Sequence, residues 1–155
     1  YIDLVQKIRN KIPDVSLTTD IMVGFPGETE EDFNEVLSLM NSILYENAFM
    51  YYYNLRDGTP AATRKDQIDL NVKKERLQKV IDLQLEITRR EMEKRIGKTA
   101  AVLAESVSKD NKSELLGKTE QDERVAFAAP ENLIGQFVQV KLEGLSGNTF
   151  RGILI

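Results

Sequence analysis

Hydrophobic and polar residues alternate through Val15, Leu17, Thr19, Ile21 and Val23 at the period of a strand, rich in β-branched residues at its end. Immediately after, Phe33, Val36, Leu37, Met40, Ile43 and Leu44 recur at helical spacing. Between them lies Gly24-Phe25-Pro26-Gly27-Glu28-Thr29, a glycine turn in which Thr29 is a helix N-cap and Glu30, Glu31 and Asp32 suit the positive end of the helix. Ala48 to Leu55 is aromatic and continuous, which predicts a second buried strand. Strand, helix and strand make one parallel βαβ unit with a right-handed crossover. A single such unit cannot bury both faces of its own sheet, so residues 1–60 are expected to close a larger α/β barrel and, alone, to leave aromatic surface bare.

The flanking segments complete the pattern. Residues 1–12 form the end of an amphipathic helix stopped by Pro13, and Arg56 to Ala62 form a turn in which Asp57-Gly58 supplies the bend and Pro60 prevents helix entry. A long helix runs from Val72 to Ile96 on the stripe Leu77, Val80, Ile81, Leu85, Ile87, Met92 and Ile96, and Gly97 ends it. Five short strands follow, at Thr99–Val107, Ser113–Glu120, Arg124–Ala128, Gln136–Leu145 and Thr149–Ile155, with turns at Asp110-Asn111-Lys112, Pro130 to Gly135 and Ser146-Gly147-Asn148. Five antiparallel strands in this length predict a small closed or nearly closed barrel of the OB-like kind. Phe127 and Phe150, on apolar strands, are expected in its core.

Chemistry is bounded by what the chain lacks. It has 155 residues with no Cys and no His, which removes thiolate and imidazole ligands, cysteine nucleophiles and His-based triads. No catalytic residue and no metal ligand can be assigned. No apolar run approaches a membrane span, and the expected compartment is the cytoplasm. The net charge is −4, yet residues 72–96 carry eight Lys or Arg against five Asp or Glu. For Lys73, Lys74, Arg76, Arg89, Arg90, Lys94 and Arg95 a solvated face is the expected role, with an RNA-facing flank as the alternative.

The run Thr19 to Phe33, with Gly24-Phe25-Pro26-Gly27-Glu28-Thr29 at its centre, resembles a signature of the radical-SAM methylthiotransferases. Arg56-Asp57-Gly58-Thr59-Pro60-Ala61-Ala62 matches the family's next motif, although Asn54-Leu55 stands where that motif has Ser-Pro. Gly97-Lys98-Thr99, Ser108-Lys109, Leu116-Gly117-Lys118-Thr119, Leu133-Ile134-Gly135 and Phe150-x-Gly152 resemble the TRAM domain, a small RNA-binding barrel, in its MiaB-type tRNA-enzyme form. The fold implied is an α/β fragment of a radical-SAM partial barrel (1–71), a long linker helix (72–96) and a small all-β OB-like barrel (97–155).

The resemblance further implies an enzyme that adds a methylthio group to isopentenyladenosine beside the tRNA anticodon, using S-adenosylmethionine and two 4Fe-4S clusters. Gly24, Phe25, Pro26, Gly27, Glu28 and Arg56 would line the cofactor pocket. Lys98, Lys109, Lys112, Lys118, Arg124, Lys141 and Arg151 would meet RNA, Lys109 and Lys118 being the more exposed, provided they converge on one barrel face. Because clusters of this kind need cysteines, the chain is expected to be an inactive C-terminal fragment binding no cofactor itself. The alternatives are a stand-alone RNA-binding module, or a sibling enzyme acting on threonylcarbamoyladenosine or a ribosomal protein.

Overall fold

The computed structural model describes residues 1–109 and 111–155, so the expected turn at Asp110-Asn111-Lys112 falls partly outside the described residues. The chain divides into two compact units, Tyr1–Thr88 and Arg89–Ile155, and the division falls inside its longest helix.

In the first unit, α1 (Ile2–Lys11) precedes strand β1 (Thr18–Val23), α2 (Glu30–Ile43) and strand β2 (Asn47–Tyr52), followed by a 3₁₀ turn (Pro60–Thr63) and α3 (Leu70–Glu93). β1 and β2 pair in parallel, Thr18 opposite Asn47 through Val23 opposite Tyr52. Ile21, Val23 and Ala48 pack with Phe33 and Met40 of α2 and with Val80 and Ile87 of α3 in one core. The opposite face carries Met22, Phe49 and Tyr51, each more than half exposed. β2 is therefore half-buried rather than buried: the aromatic run at 49–53 is split by strand alternation between core and open face.

Local chemistry sets the ends of these elements. Thr29 caps α2 through a reciprocal box, its hydroxyl accepting from the Asp32 N–H at 3.1 Å while Asp32 accepts from the Thr29 N–H at 2.8 Å. Pro60 opens the 3₁₀ turn instead of preventing helix entry, since its missing N–H costs nothing at a first helical position and the Thr59 side chain caps the turn. The buried Gln84 of α3 donates to the Tyr45 carbonyl at 2.7 Å, and Thr88 donates to the Glu46 carbonyl at 3.0 Å, so the α2–β2 connection is fastened by side chains of α3.

In the second unit, β3 (Thr99–Val107), β4 (Glu114–Thr119), β5 (Arg124–Ala128), β6 (Phe137–Ser146) and β7 (Thr149–Leu154) close in the order β3-β4-β5-β7-β6 and back to β3. The β5–β7 pair is parallel, which corrects the all-antiparallel expectation; the other four neighbouring pairs are antiparallel. Bulges at Ala104/Ser106 in β3 and at Leu142/Gly144 in β6 give the strands the bend a small barrel needs. Val102, Leu115, Val125, Phe127, Val140, Leu142 and Phe150 fill the interior with Met92, and both phenylalanines are fully buried as the alternation predicts.

Candidate functional site

Two surfaces carry the residues singled out by the sequence, one in each unit. The first is the loop that joins β1 to α2. Gly24 and Gly27 both take positive φ, +72° and +84°, a region that strains any residue with a Cβ. Space is equally restrictive, for a Cβ on Gly24 would strike the Lys73 side chain and one on Gly27 would strike Arg64 and Asp66.

Several of the loop's polar groups are bonded within the unit. The Gly24 N–H donates to both Glu28 carboxylate oxygens at 2.9 Å, the Gly27 N–H to the Asp66 carbonyl at 3.0 Å, and the Glu28 N–H to the Phe25 carbonyl at 2.9 Å. Arg76 of α3 clamps the same carboxylate, reaching Glu28 Oε1 at 2.6 Å and its carbonyl at 3.2 Å, and extends to Glu30 at 3.0 Å. Such a charge-assisted pair is strong because it is nearly dry: the Arg76 and Glu28 side chains are 7% and 10% exposed. The Lys73 ammonium donates to the Tyr53 carbonyl at 3.3 Å and lies 5.1 Å from the centre of the Tyr53 ring, which in turn meets Phe25 edge-on at 5.2 Å.

Lys73 and Arg76 are thus buried struts, which corrects their expected place on a solvated face. Their role was invisible because their partners, Glu28 for Arg76 and Tyr53 for Lys73, lie 48 and 20 residues away in sequence. Arg95, also expected on that face, is partly buried and ion-paired to Glu123. Of the loop residues named from sequence, Pro26 is buried and Phe25 presents exposed apolar surface. Arg56 is exposed beyond the end of β2, its carbonyl accepting from the Thr59 hydroxyl at 2.8 Å. Arg64 and Asp66, missed from sequence, form an ion pair beneath Gly27 that holds the Asp66 carboxyl below its usual range and raises the guanidinium.

The second surface is the outside of the barrel. Lys118, Arg124 and Arg151 project outward from β4, β5 and β7, with Lys118 directly opposite Arg124. Lys98 and Lys141 lie together, since Thr99 pairs with Lys141, while Lys109 and Lys112 sit in the β3–β4 connection. The seven cations therefore occupy three places on the barrel. Arg151 pairs with Glu114 at 2.6 Å, Lys141 with Glu143 at 3.9 Å, and Lys118 with Asp122, whose carboxylate raises the lysine pKa. Lys109 is exposed, and Lys118 is half-buried along its stem. An aromatic residue overlooked in the sequence, Phe137, stands 72% exposed on β6 opposite Leu103.

Comparison with known proteins agrees with this division. Residues 93–155 match the family model of the TRAM domain, so the closed barrel is a TRAM domain. Over its full length the chain is 47% identical to the tRNA-2-methylthio-N(6)-dimethylallyladenosine synthase of Treponema denticola, covering 99% of this chain and 35% of the relative. The synthases of the same name from Geobacillus kaustophilus and Staphylococcus aureus are 44% and 43% identical, with 100% of this chain and 29% and 30% of each relative covered. Over its whole length the chain is similar to synthases of this name, and it spans about a third of the length of the curated relatives it matches. No helix among the described residues is long and apolar enough to cross a membrane.

Proposed function

We propose that the chain is the C-terminal portion of a cytoplasmic tRNA methylthiotransferase that converts isopentenyladenosine beside the anticodon to its 2-methylthio form. In this reading residues 1–71 end a radical-SAM partial barrel, residues 72–96 link it to the next domain, and residues 97–155 hold tRNA. The observation that carries the reading is a full-length likeness above 40% to synthases named for that nucleoside, running through both units. The bare face of the β1–β2 sheet supports it as well, because two parallel strands with one uncovered aromatic face are what the end of a larger parallel barrel offers.

The cofactors fit these residues unequally. A 4Fe-4S cluster needs thiolates and this sequence has none, so no step of cluster chemistry belongs to these residues. S-adenosylmethionine, which supplies the methyl group and the radical in such enzymes, would meet the β1–α2 loop as a wall. Phe25 offers apolar surface, whereas Glu28 is held by Gly24 and Arg76 and gives shape instead of direct contact. Arg56, exposed at the carboxyl end of β2, is placed where parallel-barrel enzymes bind ligands.

Nucleoside mass spectrometry of tRNA from cells lacking the parent gene, with and without complementation, tests the proposal. Loss of the 2-methylthio nucleoside with accumulation of isopentenyladenosine is expected. Loss of a different methylthiolated product would overturn the substrate, and an unchanged profile would overturn the enzyme reading.

A further inference from the structure

On the outer face of the barrel, four residues on four consecutive strands share one level. Phe137 of β6 pairs with Leu103 of β3, Leu103 pairs with Lys118 of β4, and Lys118 pairs with Arg124 of β5. All four alternate with interior residues of their strands and so point outward. Adjacent strands lie about 4.8 Å apart, which puts Phe137 about 10 Å from Lys118 and about 15 Å from Arg124 along the row.

The row's composition is unusual for a solvated face. A phenylalanine 72% exposed gains little from folding, and its partner Leu103 extends the apolar surface toward the cations. Arg124 is exposed and makes no ion pair among the described residues, while the Lys118–Asp122 pair lies at the surface, where a phosphate can replace the carboxylate at small cost. Glu105 and Asp122 are the acids beside Lys118, and neither stands between Phe137 and Leu103. An aromatic face followed at backbone distance by cations is the combination that binds a single nucleic-acid strand, the ring stacking on a base and the cations meeting phosphates.

We propose that Phe137 is a base-stacking residue for single-stranded RNA, the strand running across β6, β3, β4 and β5 with its phosphates on Lys118 and Arg124. The assignment rests on the reading of the barrel as the tRNA-holding part. It names an aromatic contact that the cationic residues alone do not supply. Stacking on an aromatic side chain contributes roughly 1–3 kcal/mol per base, about a five- to 150-fold change in affinity.

The chain contains no Trp, so Phe137→Trp installs a single tryptophan at the stacking position, excited apart from the five tyrosines at the red edge of the absorption band. Titration of the 155-residue chain with an anticodon stem-loop RNA should quench this tryptophan at unchanged or tighter affinity. Phe137→Leu, which keeps the apolar contact but removes the ring face, should weaken binding at least fivefold and leave the salt dependence as in wild type. Lys118→Ala with Arg124→Ala should instead flatten the salt dependence. Wild-type binding together with an unquenched tryptophan and an indifferent Phe137→Leu variant would overturn the stacking assignment alone. No binding by the wild-type chain at low salt would overturn the RNA reading and the assignment with it.

Discussion

The two units solve the same problem differently, for each must cover a β-sheet. The barrel does so by closure: every strand has two neighbours, and the interior is filled by its own side chains and Met92. The α/β unit covers one face of a two-strand sheet with helices and leaves Met22, Phe49 and Tyr51 in the open. What holds the β1–α2 loop of the α/β unit in shape is largely polar. Arg76, carried by α3, fixes the β1–α2 loop through Glu28, and Lys73 of the same helix bonds the Tyr53 carbonyl and lies over the Tyr53 ring that Phe25 meets. Closure shapes one region, whereas in the other a few long side chains add to an apolar core, and substitutions should separate them.

The largest effect is expected in the barrel core. Phe150→Ala leaves a void at a fully buried site and should cost about 3–5 kcal/mol. All five tyrosines lie within Tyr1–Thr88, so tyrosine emission reports the α/β unit while far-ultraviolet circular dichroism reports both. Phe150→Ala should shift the dichroism transition in urea and leave the tyrosine transition in place; a joint shift would show that the two units unfold as one.

Arg76→Ala should do the converse. Removing one partner of a nearly dry ion pair leaves the Glu28 carboxylate uncompensated, and a loss of about 3 kcal/mol is expected in the tyrosine transition. Combining Arg76→Met with Glu28→Gln should restore most of it, and failure of the double variant to recover would show that the guanidinium acts through Glu30 or through packing instead.

Smaller effects sharpen the picture of the loop. Gly24→Ala forces a Cβ into positive φ and against Lys73, for an expected loss of about 1–3 kcal/mol in the same transition. Thr29→Ala should cost about 1 kcal/mol through the lost cap. The Asp32 carboxyl is held below its ordinary value by the Thr29 N–H first and the Thr29 hydroxyl second. Its contribution is therefore complete above the ordinary carboxylate range and is lost as pH falls through the lowered native value. Asp32→Asn should flatten the acid limb of the stability profile while leaving the alkaline limb unchanged; an identical acid limb would remove Asp32 from the account.

Much of this was legible in the chain. The 3.6-residue stripe of Phe33, Val36, Leu37 and Met40 and the strand pattern before it gave the βαβ unit, and Thr29 marked the helix start because capping is local chemistry. Period-two alternation gave five barrel strands to within a residue or two of their observed ends, with Phe127 and Phe150 inside. The parallel β5–β7 pair was not legible, because strand order depends on closure and alternation is blind to direction. Lys73 and Arg76 read as solvent-facing for a related reason: charge on a helix looks solvated until the loop it holds is brought to it. Phe137 was passed over since one exposed aromatic on an alternating strand has no signature apart from its neighbours on β3, β4 and β5.

Hydrogen exchange on the 155-residue chain, with and without the anticodon stem-loop RNA, tests the central contrast most directly. Without RNA, the amides of β3 to β7 should exchange slowly together, and those of β1 and β2 should exchange faster, because their sheet has unpaired edges and an open face. With RNA, added protection should fall on β3, β4, β5 and the start of β6 and spare the β1–α2 loop. Equal protection of both sheets without RNA, or RNA protection centred on β1 and β2, would contradict the account.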